Sequence, residues 1–308
     1  MPSAIGLACQ DAGVQAALRS WLDQGALEPP QPLLLEVSIG NLPAPPARID
    51  DKRPAFHQPG VVIRAGPPQG GVHLSWEVAP AVAELAPGAT TARVTLSPAA
   101  VARLDTCART FLTLVLIFLL RRVGWHHIHA ATALDPAGHG WLIAGNAQAG
   151  KSTTAALLAS RGWQVGTDDV AFLAPAGERV AAVAFHAPIA LRPEAYHLLG
   201  AAGGVFSAER RKVGYWPEEL GGRWVPCIDP DIVLFTSVGD GRTSAAPLRA
   251  RETLAELVRW SAWVMLEPDL AQEHLDLLTR LARQARSYRV VVGRDLFAHP
   301  TRLAELVR

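Results

Sequence analysis

The chain has 308 residues, more than one average domain needs, and its length points to about two. It is 49% hydrophobic and 19% charged with a mean hydropathy of +0.16, so it can bury a substantial core and is not a disordered or fibrous chain. A formal net charge of +1 excludes a long-range pull toward nucleic acid or an anionic membrane, and three scattered cysteines (Cys9, Cys107, Cys227) exclude a disulfide framework and a cysteine zinc site.

The first seven residues, Met-Pro-Ser-Ala-Ile-Gly-Leu, carry no basic segment followed by an apolar one, so no signal peptide is read there and a reducing cytoplasm is expected. A helix is predicted near Val14–Asp23. Strands are predicted at Leu33–Ile39, Val61–Ala65, Val72–Val78 and Thr91–Leu96, separated by Pro/Gly-rich stretches at 42–47 and 65–71. Residues 1–96 therefore read as a small β-rich module. From Ser97, with Pro98 as first helical residue, one helix is expected to run to Arg122. Its Phe111–Leu120 stretch is wholly apolar except for Thr113 but would rise only about 15 Å, half of a bilayer core. A buried helix behind the second domain is expected rather than membrane insertion.

Residues 97–308 alternate strand and helix signals, which argues for an α/β layer. Strands are predicted at His127–Leu134, Trp141–Ala144, Trp163–Val165, Val180–Ala184, Ile232–Thr236 and Tyr288–Val292. Helices are predicted at Ser152–Ser160, Arg251–Met265, Leu270–Ala285 and Pro300–Val307. Gly200–Val225, rich in Gly and charge, reads as a long loop.

The chemistry is carried by Gly145-Asn146-Ala147-Gln148-Ala149-Gly150-Lys151-Ser152-Thr153, a G-x4-G-K-S pattern between a strand and a helix. Glycines at its ends let consecutive N–H groups converge on phosphate oxygens, the lysine adds a mobile charge for the β and γ phosphates, and the serine hydroxyl can ligate Mg²⁺. A helix N-terminus against the phosphates adds partial positive charge. The pattern points to a bound nucleoside triphosphate. Seventeen residues beyond the lysine, Asp168 and Asp169 follow a short apolar run. Adjacent carboxylates suit metal-assisted phosphoryl transfer, with one on Mg²⁺ and the other accepting a hydroxyl proton, while a turn or helix cap is the plainer alternative. In a strand, His127 and His129 would share a face, so a metal pair, a polar residue beside phosphates and a satisfied core histidine all stay open.

His129, then GNAQAGKST, then Arg161-Gly-Trp and Thr167-Asp-Asp together resemble the HPr serine kinase/phosphorylase C-terminal domain family, above all its divergent bacterial relatives beside modified-peptide genes such as those of lasso peptides. The resemblance covers about residues 125–173. It implies an α/β P-loop fold of the phosphoenolpyruvate-carboxykinase-like type, with ATP and Mg²⁺ as cofactors. It also implies His129 as an active-site residue, Lys151 on phosphate, Ser152 and Asp169 on the metal, and Asp168 as proton acceptor for a seryl hydroxyl. The family's second signature, L-E-I-R-G-x-G-I-I-D, is reduced here to Pro188-Ile-Ala-Leu-Arg192-Pro193, and Asn146-Ala-Gln-Ala replaces its usual Ser and extra Gly.

Arg192 is a candidate phosphate-facing arginine at the end of an apolar run. Arg210-Arg211-Lys212 could clamp a phosphate or an acidic acceptor, or be a solvated loop tip. The expected activity is transfer of the ATP γ-phosphate to a serine hydroxyl of a peptide or protein, with the β-rich module recognising the acceptor or mediating assembly. Alternatives are a small-metabolite kinase and a non-catalytic ATP-binding accessory protein. A homo-oligomer stays open.

Overall fold

Alternating apolar residues create the first sheet. In the strand Leu33–Ile39, Leu33, Leu35 and Val37 are buried, and in Thr91–Leu96 it is Ala92, Val94 and Leu96, so one face of each strand is core. The coordinates are a computed structural model that describes residues 4–43, 56–58, 60–65, 71–200, 203–207, 211–264 and 266–307. The Pro/Gly stretches at 44–47 and 66–70, Arg210 and Met265 lie outside the described residues.

The chain is mixed α/β and divides into two compact units. One comprises Met1–His126 with Trp263–Glu273, the other His127–Ala262 with His274–Arg308. In the first unit a seven-stranded sheet runs in the order Ile5–Cys9, Leu33–Ile39, Thr91–Leu96, Ala81–Leu85, Val72–Trp76, Val61–Ala65, Phe56–Gln58. Ile5–Cys9, Leu33–Ile39 and Thr91–Leu96 are mutually parallel, and the rest are antiparallel. The opening helix, Ala12–Gly25, makes the crossover between the first two strands. Asp11 caps it by accepting the Val14 N–H at 2.9 Å, and Val14, Leu18 and Leu22 bury one face.

The single helix expected from Ser97 to Arg122 is broken into pieces. Ser97 does cap it, accepting the Ala100 N–H at 3.2 Å. However, Arg103 leaves helical geometry, and the helical turn Leu104–Cys107 leads into a π-helical turn, Ala108–Leu112, before Thr113–Arg121. The Thr113 hydroxyl donates to the Ala108 carbonyl at 3.0 Å, a side-chain bond that fits the widened turn. Phe111 stacks on Trp76 with ring centroids 6.4 Å apart, and Thr113–Arg121 packs on Ala81–Leu85 and Thr91–Leu96. The apolar helix is thus buried, but on the first sheet. The expected boundary at 96/97 falls inside this unit, because those helices cover the sheet's apolar face. Among the described residues no helix is long and apolar enough to cross a membrane.

His126 sits in the first unit, fully buried, and burial together with the nearby Arg121 charge pushes its pKa down to about 3. Folded, it stays neutral where the unfolded imidazole binds a proton, so stability is lost as pH falls below about 6.5. The expected slope is about 1.4 kcal/mol per pH unit below that point. Urea titrations from pH 7 to 4.5 should show a shallower acid loss in His126→Gln than in the wild type. Parallel pH profiles would rule the linkage out.

The second unit is built on an extended sheet in which Cys227–Ile228, Arg179–Ala184, Val170–Ala176, His126–Leu134, Gly140–Gly145, Pro230–Val238, Arg286–Val292 and Ser244–Leu248 follow in order. Gly140–Gly145 and Arg286–Val292 flank Pro230–Val238 in parallel. Gln164–Thr167 pairs antiparallel with His126–Leu134 and parallel with Arg223–Trp224. The helix Lys151–Ala159 covers the sheet through Ala155, Leu157 and Leu158, beside Trp141 and Trp163, whose rings meet edge to face at 5.0 Å. Each buried leucine contributes about 1.5–3 kcal/mol.

All six predicted strands of this half are present. The helix predicted at Arg251–Met265 stops earlier, as Ala250–Arg259. Among its described residues, the loop expected at Gly200–Val225 is corrected to short elements: Val205–Ser207, Lys212–Tyr215, a 3₁₀ turn Pro217–Leu220 and Arg223–Trp224. Lys212–Tyr215 forms the middle of a three-stranded antiparallel sheet with Ile189–Leu191 and Val205–Ser207. Only Val213 and Tyr215 mark its inward face, too short an alternation to stand out among glycines.

Candidate functional site

Strand Gly140–Gly145 ends beside Pro230–Val238, and the chain turns there into the helix Lys151–Ala159. Openings at the carboxyl ends of parallel strands are where α/β sheets bind ligands. A side chain at Gly145 would bring its Cβ to 2.7 Å from the Thr236 carbonyl oxygen and 3.0 Å from Ala149 Cβ. Gly150 takes φ +89 as the helix begins, and Gln148, which is not a glycine, takes φ +68. The turn is tied internally by Ala149 N–H to the Asn146 carbonyl at 3.1 Å and Ala147 N–H to Asn146 Oδ1 at 2.9 Å. Asn146, Ala147 and Gln148 are exposed, Ala149 is buried, and Ser152 and Thr153 are half-buried.

Lys151 is buried, and its Nζ donates to the carbonyls of Gly145 at 2.9 Å and Asn146 at 3.1 Å. Burial lowers its pKa, and the charges of Asp169 and Asp168 oppose that fall. The turn between strands Gln164–Thr167 and Val170–Ala176 carries the two aspartates. It is fixed by Thr167, whose N–H donates to Thr132 Oγ1 at 3.2 Å and whose hydroxyl accepts from the Val170 N–H at 3.3 Å.

The two carboxylates have different surroundings. Asp168 is buried, hydrogen-bonded to the Ser152 side chain, and accepts the Ala190 N–H on Oδ2 at 3.1 Å. Burial and the adjacent Asp169 charge push its pKa up, with Ser152, Ala190 and the Lys212 charge opposing. Asp169 is 57% exposed and meets His129 Nε2 at 2.5 Å. Loss of part of its hydration acts upward on it. The His129 hydrogen bond and charge, then the Lys151 and His127 charges, outweigh that and hold the carboxyl well below the usual range. Solvent screens part of this interaction, but its direction survives.

The structure therefore brings together His129, Lys151, Ser152, Asp168 and Asp169. His129 stands on strand His126–Leu134, with its N–H donating to the Trp260 carbonyl at 3.2 Å. Its expected facial partner, His127, is buried edge-on against Phe172 at 6.1 Å. Among the described residues no group of three or more His, Cys, Asp or Glu is gathered for a metal. Arg192 is exposed at the N-cap of Pro193–Leu199 and makes no hydrogen bond or ion pair with this cluster. Sequence reasoning missed the Ala190 amide, which carries no side-chain signature.

No family model and no curated protein matches the chain. Among solved structures it is similar to the HPr(Ser) kinase/phosphatase from Coxiella burnetii, at 14% identity and a TM-score of 0.32, over 58% of this chain and 94% of that one.

Proposed function

We propose that this chain is a P-loop kinase that transfers the γ-phosphate of ATP to a serine hydroxyl of a peptide or protein. The observation that carries this reading is the convergence of Lys151 and Ser152 with the unlike pair Asp168 and Asp169 at one end of the parallel strands. The first N–H groups of the helix Lys151–Ala159 have no partner within the helix and suit phosphate oxygens. Lys151 would exchange its two carbonyl contacts for the nucleotide's charge.

The donor set fits magnesium. Mg²⁺ is held by one or two protein oxygens and completed by phosphates and water, so a cluster of three carboxylates is not needed. Ser152 and Asp168 would hold it, and a cation would relieve the like-charge pressure on Asp168. When bound, the ion neutralises charge on the phosphates. The roles of the aspartates are thereby exchanged relative to the sequence expectation: Asp168 is the metal residue because it is buried against Ser152, and Asp169 faces the acceptor because it is open and ionised.

In the transfer, the acceptor oxygen forms a bond to the γ-phosphorus as the bond to the β-bridging oxygen breaks. Asp169 orients the hydroxyl and takes its proton, and the contact with His129 holds the carboxylate in place. A weakly basic carboxylate suffices, because charge on the nucleophile develops late in a loose phosphoryl transition state.

Lys151→Ala tests the nucleotide site. Calorimetry should show Mg-ATP affinity reduced at least about tenfold, as expected when a charged hydrogen-bond donor is lost. Unchanged affinity would remove the site assignment and the kinase reading with it.

A further inference from the structure

The basic cluster 210–212 is unused by the reaction above, and the fold treats its described members differently. Arg211 is exposed and takes a left-handed backbone angle, φ +50. Lys212 is half-buried and begins the middle strand of the three-stranded sheet. In that sheet Gly214 lies opposite Ala190, whose N–H binds Asp168. Lys212 is two residues along the same strand, about 7 Å away by strand rise. A lysine side chain spans that distance.

Its charge is felt at both Asp168 and Lys151. Yet among the described residues Lys212 has no ion pair or side-chain hydrogen bond: Asp169 is taken by His129, and Asp168 by Ser152 and Ala190. Two ammonium groups near one another in a partly buried space oppose each other unless an anion lies between them. Lys151 is fixed at the 145–150 turn, whereas Lys212 comes from the side of the carboxylates. A phosphate between these lysines would be the one nearest the acceptor.

We propose that Lys212 contacts the terminal phosphate of a bound nucleoside triphosphate and so distinguishes it from the diphosphate; this rests on the kinase reading above. The diphosphate product then loses one of its two lysine contacts as the phosphate departs, which favours its release.

The test is calorimetry of Mg-ATP and Mg-ADP with wild type, Lys212→Met and Lys212→Arg. Lys212→Met should weaken Mg-ATP at least about tenfold and Mg-ADP less than about threefold, with Lys212→Arg restoring most of the difference. Equal weakening of both nucleotides, or of neither, overturns the proposal. A second measurement needs no variant: amine acetylation of the wild type, read by mass spectrometry, should be suppressed at Lys212 by Mg-ATP and not by Mg-ADP. Equal protection by the two, or none, also overturns it. If the wild type binds neither nucleotide, the kinase reading fails and takes this inference with it. If binding depends on Lys151 while Lys212 proves indifferent, only the inference fails.

Discussion

Asp169→Asn is expected to lower turnover by about 10²–10⁴-fold while leaving Mg-ATP affinity within a few fold of the wild type. The amide keeps the size of the side chain but cannot accept the hydroxyl proton, and it offers His129 no carboxylate. Asp168→Asn should behave differently. Its loss should appear first as a raised magnesium requirement, since it removes the buried carboxylate next to Ser152. The pH profile separates the two. Asp168 has its pKa raised, so if it must be ionised to hold metal, activity should fail on the acid side above the ordinary aspartate range. More magnesium should move that limb to lower pH, because metal and proton compete. Asp169 is held low and should contribute no limb near neutrality. Single-turnover rates across pH, at two magnesium concentrations, would decide this. Equal, mild losses in both variants would reduce the pair to a structural turn.

What could be read before the structure was what is local. The turn 145–150 declares itself because its glycines, lysine and serine act within one strand–turn–helix, and the structure gives that order with Gly150 in the left-handed region. The strands of the second half are apolar runs of ordinary length, and the sheet keeps them. The neighbourhoods of Asp168 and Asp169 could not be read that way. Of two adjacent, identical side chains one is buried and one open, and Ala190, 22 residues on, places its amide against the first. His129, 40 residues back, meets the second. Their different surroundings therefore follow from tertiary packing.

The domain boundary was illegible for the same reason. Ser97-Pro98 is a genuine helix start, so the sequence invites a cut there. The pieces that follow are nevertheless the cover of the first sheet, because Phe111–Leu120 is too apolar to leave open and that sheet offers the apolar face. A truncated protein beginning at Ser97, which the sequence alone would recommend, exposes that stretch and should be recovered mainly as aggregate.

Arg121 and Arg122 illustrate the point most strongly. In the sequence they look like the polar end of an apolar helix. In the structure Arg121 is 0% and Arg122 6% exposed, and both reach Glu267, itself buried, with Arg121 Nε 3.4 Å from it. Arg121 also donates to the Trp263 carbonyl. Burial lowers the Arg121 pKa to about 10, and Glu267 acts against that fall. Residues 263–273 thus belong to the first unit, with one carboxylate facing two buried guanidinium groups. Glu267→Ala is accordingly expected to destabilise by about 3–5 kcal/mol, the cost of stranding buried charge, measurable by urea denaturation. Glu273, whose charge also acts on Arg121, replaces it only in part, since its side chain is 50% exposed and lies 3.4 Å from His126. The control is the triple variant Arg121→Met, Arg122→Leu, Glu267→Ala, which removes the charges together and should lose less than Glu267→Ala alone. If Glu267→Ala costs less than about 1 kcal/mol, the arginines reach water when released, and the segment is held to the unit by Trp263 against Phe118 instead.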